Sequence, residues 1–121
     1  YTTFSYGKVS TDKKTYSPAD TIKVSFTLQN TGKVDGAEAV QVYVSKKKSA
    51  VARAAKELKA FDKIFLKSGE TKTVNLVIKA SDLSYFDEKN HAWALENGEY
   101  LIQNASSSRV LISDAKIIIK D

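Results

Sequence analysis

Asn30-Thr31-Gly32-Lys33-Val34-Asp35-Gly36-Ala37-Glu38-Ala39-Val40-Gln41-Val42-Tyr43-Val44 decides how this chain is read. A polar stretch with two glycines separates two runs of alternating character. Before it, Ile22, Val24, Phe26 and Leu28 alternate with Lys23, Ser25, Thr27 and Gln29. Within its second half, Val40, Val42 and Val44 alternate with Gln41 and Tyr43. A period of two puts successive side chains on opposite faces of a strand. Two such runs around a glycine-bearing turn predict a β-hairpin with one buried and one wet face.

The same period continues outward. Val74, Leu76 and Ile78 alternate with Thr73, Asn75 and Lys79; Tyr100 and Ile102 flank Leu101; Ile117, Ile118 and Ile119 suit a closing strand. With a first strand over residues 6–10, the count is about seven strands. Seven short strands with frequent turns indicate an all-β, immunoglobulin-like sandwich. Ser17-Pro18-Ala19-Asp20 is a turn with φ preset by proline. Lys67-Ser68-Gly69-Glu70-Thr71 predicts a tight reversal, and Asn97-Gly98 a hairpin turn. In residues 81–87, Leu83 and Phe86 stand three apart, which predicts one helical turn with both on a single face. Residues 45–56 break the pattern with three lysines and an alanine-rich piece, and are expected to form a long surface loop of the docking kind.

At 121 residues the chain is expected to be one domain, residues 1–121, able to bury a core without staples. It has no cysteine, which excludes disulfides and thiol chemistry. It has no methionine and opens on Tyr1-Thr2-Thr3-Phe4, so it is expected to be a fragment of a longer polypeptide. No apolar run approaches the ~18 residues of a membrane span, and no membrane partner is expected. A net charge of +5 bears on solubility and polyanion contact, not on fold.

Several phrases, taken in order, are more specific. N-T-G-x-x-x-G-x-E-x-V-Q-V-Y-V is followed by Arg53-Ala54-Ala55-Lys56-Glu57-Leu58-Lys59-Ala60-Phe61 and Phe65-Leu66-Lys67-Ser68-Gly69-Glu70-Thr71. Then come Asp82-Leu83-Ser84-Tyr85-Phe86-Asp87, Trp93, Gly98-Glu99-Tyr100 and Ser106-Ser107-Ser108. This series resembles the fibronectin type III-like domain at the C-terminal end of glycoside hydrolase family 3 enzymes, the β-glucosidases and β-xylosidases. Ala54 and Ser68 stand where that family usually has proline, and Ala60 where glycine is common. The resemblance implies a non-catalytic accessory domain that stabilises and packs against the catalytic domains of its own polypeptide. It also implies that the catalytic aspartate and glutamate lie in preceding domains and that the parent hydrolyses O-glycosyl bonds; the compartment is left open by the sequence, with a periplasmic or extracellular parent favoured by the enzyme class. Alternatives are a carbohydrate-binding module with exposed aromatics, contacting an oligosaccharide, and a cell-surface interaction domain.

Candidate sites follow from the residues. A glycosidase needs two carboxylates flanking one bond. Asp87 and Glu88 are neighbours that would face opposite ways on a strand, and Glu96 and Glu99 flank a turn, so no catalytic residue is assigned. His91, the sole histidine, reads as a loop residue and not a metal ligand; no metal and no cofactor is expected. Residues 46–67 carry eight basic side chains against Glu57 and Asp62, a local +6. A solvated edge or a docking surface explains this better than nucleic acid, which is not expected as a partner. Arg53, Lys56 and Glu57 are the expected interdomain docking residues, with Arg53 able to clasp a carboxylate. Trp93 with Tyr85 would form a sugar-stacking pair, with Tyr43 and Phe86 as further aromatics, although core or interdomain contact is favoured for Trp93. Asn104-Ala105-Ser106 has the glycosylation acceptor pattern but is expected to close a strand.

Overall fold

A computed structural model describes residues 2–46, 56–106 and 110–121. Among these residues there are eleven strands: β1 (Phe4–Tyr6), β2 (Ser10–Thr11), β3 (Thr15–Tyr16), β4 (Thr21–Asn30), β5 (Gly36–Lys46), β6 (Glu57–Leu66), β7 (Thr71–Lys79), β8 (Tyr85–Asp87), β9 (Ala92–Ala94), β10 (Gly98–Ala105) and β11 (Leu111–Ile119). Two sheets face each other. In the first, β4 is central, with β7 on one side and β1 then β2 along the other. The second runs β3-β11-β10-β5-β6 and is antiparallel except for β3 against β11. Among the described residues β8 and β9 pair only with each other, as a small hairpin.

The alternation places the core as expected. Ile22, Val24, Phe26 and Leu28 of β4 and Val74 and Ile78 of β7 meet Val40, Val42, Val44, Tyr100, Ile102, Ile117 and Ile119 across the sandwich. Ile118 points outward between its two buried neighbours. Among the described residues the main sandwich thus uses six longer strands, one fewer than the sequence count, with short ones added at its margins. The expected first strand is divided into β1 and β2.

The opening motif is not a hairpin. β4 and β5 lie in different sheets, and residues 31–35 carry the chain across. Alternation reports which face of a strand is buried; it is silent on which sheet the strand joins. The crossover is pinned by Asn30, which is wholly buried. Its Nδ2 donates to the carbonyls of Val34 (2.9 Å) and Leu66 (3.1 Å). Its Oδ1 accepts from Gly32 N (2.9 Å) and Thr2 Oγ1 (2.8 Å). A Cβ on Gly32 would come within 1.7 Å of Thr2 Oγ1 and 2.9 Å of Thr3 N, so the corner closes only with glycine there.

The turn at residues 67–70 is tight, with Gly69 at φ 79° and Glu70 N donating to Lys67 O (2.9 Å). It too links the two sheets, joining β6 to β7. Ser68 N donates to Asp35 Oδ1 (2.8 Å), a bond that proline could not make. Asn97-Gly98 is likewise no hairpin turn: Gly98, at φ 126°, starts β10, whose neighbours are β11 and β5. The Ser17-Pro18-Ala19-Asp20 turn forms as read, with Asp20 N on Ser17 O (3.0 Å). A 3-10 turn spans Ala80–Leu83 and buries Leu83, but Phe86 lies beyond it in β8 and is exposed.

Candidate docking site

The β5–β6 pair ends where Lys56 and Glu57 enter. Lys56 Nζ sits 5.0 Å from the Tyr43 ring centroid, a cation–π contact on the outer face of the second sheet. Glu57 Oε2 pairs with Lys59 Nζ at 3.0 Å. Both line a shallow depression with Lys46, Leu83 and Tyr100, where Lys46 Nζ lies 5.6 Å from the Tyr100 ring. The structure therefore brings Lys56 and Glu57 to one end of the sandwich. Arg53 lies outside the described residues.

The register reveals a larger feature that the sequence reading passed over. Tyr43 pairs with Leu58, Gln41 with Phe61, and Ala37 with Phe65, so these residues share the outer face of the second sheet. Phe61 is 74 % exposed, Phe65 54 % and Leu58 44 %. β6 is an edge strand, where exposed aromatics invite association and are normally avoided. The outer face of the first sheet is the opposite in character. Lys23, Ser25, Thr27 and Gln29 of β4 register against Val77, Asn75, Thr73 and Thr71 of β7, and Val77 is its one large apolar group. One face of the sandwich is built for water and the other is not.

The β8–β9 hairpin carries the remaining aromatics. Phe86 pairs with Trp93, and their rings meet edge to face at 5.5 Å. Trp93 is 71 % exposed, which overturns the core reading; it stands on a projecting hairpin rather than between the sheets. Tyr85 registers against Ala94, on the other face of the hairpin. Tyr85 and Trp93 therefore do not form one stacking platform; Phe86 is the partner of Trp93.

Other candidates resolve into structural roles. Asp87 accepts from Lys89 N (3.0 Å) and Asn90 Nδ2 (2.8 Å), closing the hairpin turn in which His91 takes φ 49°. Glu99 faces Lys116 at 3.5 Å. Among the described residues no group of three His, Cys, Asp or Glu could hold a metal. Asn104 is fully buried, donates to Gly7 O (3.2 Å) and accepts from Ser113 N (3.0 Å) and Oγ (2.7 Å). The folded strand offers no amide there for a glycan. Four ionisable groups with shifted titration sit away from β6. Burial, and then the Glu38 hydrogen bond, push Tyr6 up. Burial, and then Asp12, push Tyr16 up to about 12. The Tyr16 hydroxyl lowers Asp12, and the Ser17 amide lowers Asp20.

The comparisons with known proteins agree with this architecture. The profile of the fibronectin type III-like domain matches residues 38–108. The chain is 43 % identical over 112 residues to thermostable β-glucosidase B of Acetivibrio thermocellus, covering 93 % of this chain and 15 % of that protein. It is 42 % identical over 120 residues to an exo-α-(1→6)-L-arabinopyranosidase of Bifidobacterium breve, covering 99 % of this chain and 16 % of that protein. The crystal structure of β-glucosidase from Kluyveromyces marxianus superposes with a TM-score of 0.90 at 39 % identity, covering 100 % of this chain and 15 % of that one. The chain thus spans about one sixth of the relatives it matches, each a larger single polypeptide. The chain belongs to the fibronectin type III-like domain family, in the form found within glycoside hydrolase family 3 enzymes.

Proposed function

We propose that this chain is the accessory domain of a larger glycoside hydrolase of the β-glucosidase type, and that it packs on the catalytic domains through the outer face of β5 and β6. The observation that carries the docking surface is the contrast between the two outer faces. Phe61, Phe65 and Leu58 crowd one, while a polar, threonine- and lysine-rich surface covers the other. Burying a side chain such as Phe61 is worth about 1.5–3 kcal/mol. Two or three such residues suffice to hold a covalently attached domain in place, because the linker removes most of the entropy of association. Lys56, over Tyr43 at the end of the same strand pair, supplies charge beside that apolar centre, while Glu57, registered against buried Val44, stands at the sandwich end on the other side of β6. Arg53, outside the described residues, is proposed to join them.

The relatives differ in the sugar named for them, glucose in one case and arabinopyranose in another. The domain is therefore read as a scaffold and not as the determinant of sugar choice. The test is a pair of variants in the longer enzyme polypeptide. Phe61→Lys with Phe65→Lys should shorten the enzyme's half-life of activity at elevated temperature, while leaving the isolated 121-residue chain as stable as before. Val77→Lys, on the polar face, should change neither. Equal sensitivity of the enzyme to Val77→Lys and to the Phe61/Phe65 pair would rule out this face as the docking surface.

A further inference from the structure

Away from β10, β11 has β3 as its neighbour, and β3 reaches only Ile118 and Ile119. The link runs from Ile118 N to Lys14 O (2.8 Å) and from Lys120 N to Tyr16 O (2.9 Å). Main-chain groups along a strand point alternately to its two sides. The N–H and C=O of Lys116 and Asp114 therefore point the same way as those of Ile118. No strand among the described residues pairs with them there. The earlier part of the chain has left this sheet at that level, because β2 pairs with β4 in the other one.

What remains between β2 and β11 is a groove of about 600 Å³ along the open side of the sandwich. Val9 and Ala115 give it an apolar floor. Lys8, Lys14 and Lys116 stand around it, against the single carboxylate of Asp114. Lys116 is partly engaged by Glu99 at 3.5 Å. The groove continues the line that β3 begins, so a further extended segment placed in it would extend the sheet.

We infer that this groove is a strand-addition site for an extended segment bearing acidic side chains. Its main chain pairs with the free groups of Asp114 and Lys116, which supplies affinity without sequence. The three lysines select the occupant. Edge lysines deter pairing with a like edge, so a second copy of this chain meets its own lysines and is repelled. An acidic strand meets them favourably, and its carboxylates also raise the rate of encounter. The inference does not depend on the outer face of β5 and β6, which lies on the far edge of the same sheet from β3.

The test uses the ¹⁵N-labelled 121-residue chain and two synthetic peptides, acetyl-Thr-Glu-Val-Glu-Val-Thr-amide and its counterpart with Lys replacing Glu. The acidic peptide should shift the amides of Asp114, Ala115 and Lys116 saturably, and slow their hydrogen exchange. The basic peptide should bind at least about tenfold more weakly. Lys8→Glu with Lys14→Glu, both on exposed positions of the rim, should remove that preference. No shift at residues 114–116 with millimolar acidic peptide would overturn the inference. So would equal binding of the two peptides, or shifts produced by protein concentration alone.

Discussion

Replacing Asn30 by alanine tests how the two sheets are joined. The side chain makes four hydrogen bonds at a wholly buried corner, to Val34 O, Leu66 O, Gly32 N and Thr2 Oγ1. Thr2, near the surface, can recover its bond from water. Leu66 is itself buried, and the carbonyl of Val34 faces the same pocket. A buried polar group stripped of its partner costs about 1–3 kcal/mol, so two such groups give a loss of about 2–6 kcal/mol. At roughly 2.1 cal/mol/K of unfolding entropy per residue, each kcal/mol moves the Tm of a chain this size by about 4 °C. Asn30→Ala should therefore lower Tm by about 8–24 °C in a circular-dichroism melt of the 121-residue chain. The urea m-value should be unchanged, because the surface exposed on unfolding is the same. Thr31→Val, which removes only the exposed hydroxyl contact to Thr3, should cost less than about 1 kcal/mol. A drop below about 4 °C for Asn30→Ala would refute the argument that this side chain holds the crossover.

Three further outcomes are expected. Asn104→Ala should destabilise by about 1–3 kcal/mol in urea titration, since the part-buried Gly7 carbonyl and Ser113 groups lose their partner. Trp93→Ala should move Tm by no more than a few degrees, because the ring is mostly in solvent and touches chiefly Phe86. Asp12 and Asp20 both have carboxyls held below their ordinary range in the fold. A depressed folded pKa gives stability that is present above the unfolded value and lost as pH falls through the folded one. Tm should thus fall with acidification below about pH 4, and Asp12→Asn with Asp20→Asn should flatten that slope in a melt series from pH 5 to pH 2.

The strand content was plain in the chain because one face of each long strand is buried. Ile22 to Leu28 and Val40 to Val44 alternate without a break, and the structure buries each apolar member. Sheet membership was not legible. The polar crossover at residues 31–35 resembles a hairpin loop in composition, and only the long-range contacts of Asn30 with Thr2 and Leu66 distinguish it. The same holds for Asn97-Gly98, whose glycine serves an entry into β10 and not a reversal. The proposed docking face was hidden for a different reason. In β6, Phe61 and Phe65 alternate out of phase with Ala60, Ile64 and Leu66, so both faces carry apolar groups and no period stands out. A register shift between Val42 and Tyr43 further brings Leu58 onto the outer face. Apolar residues on both sides of an edge strand were the available signal. Trp93 misled because its neighbours Ala92, Ala94 and Leu95 are apolar, yet of these only Leu95, just past the hairpin, packs against the core, and Trp93 stays exposed.

The central claim is that the outer face of β5 and β6 is covered in the longer enzyme. Carbene footprinting of that polypeptide, beside the isolated 121-residue chain, measures this directly. The account predicts strong labelling of Phe61 and Phe65 in the isolated chain and severalfold weaker labelling in the enzyme, with Val77 labelled equally in both. Equal labelling of Phe61 and Phe65 in the two samples would contradict it.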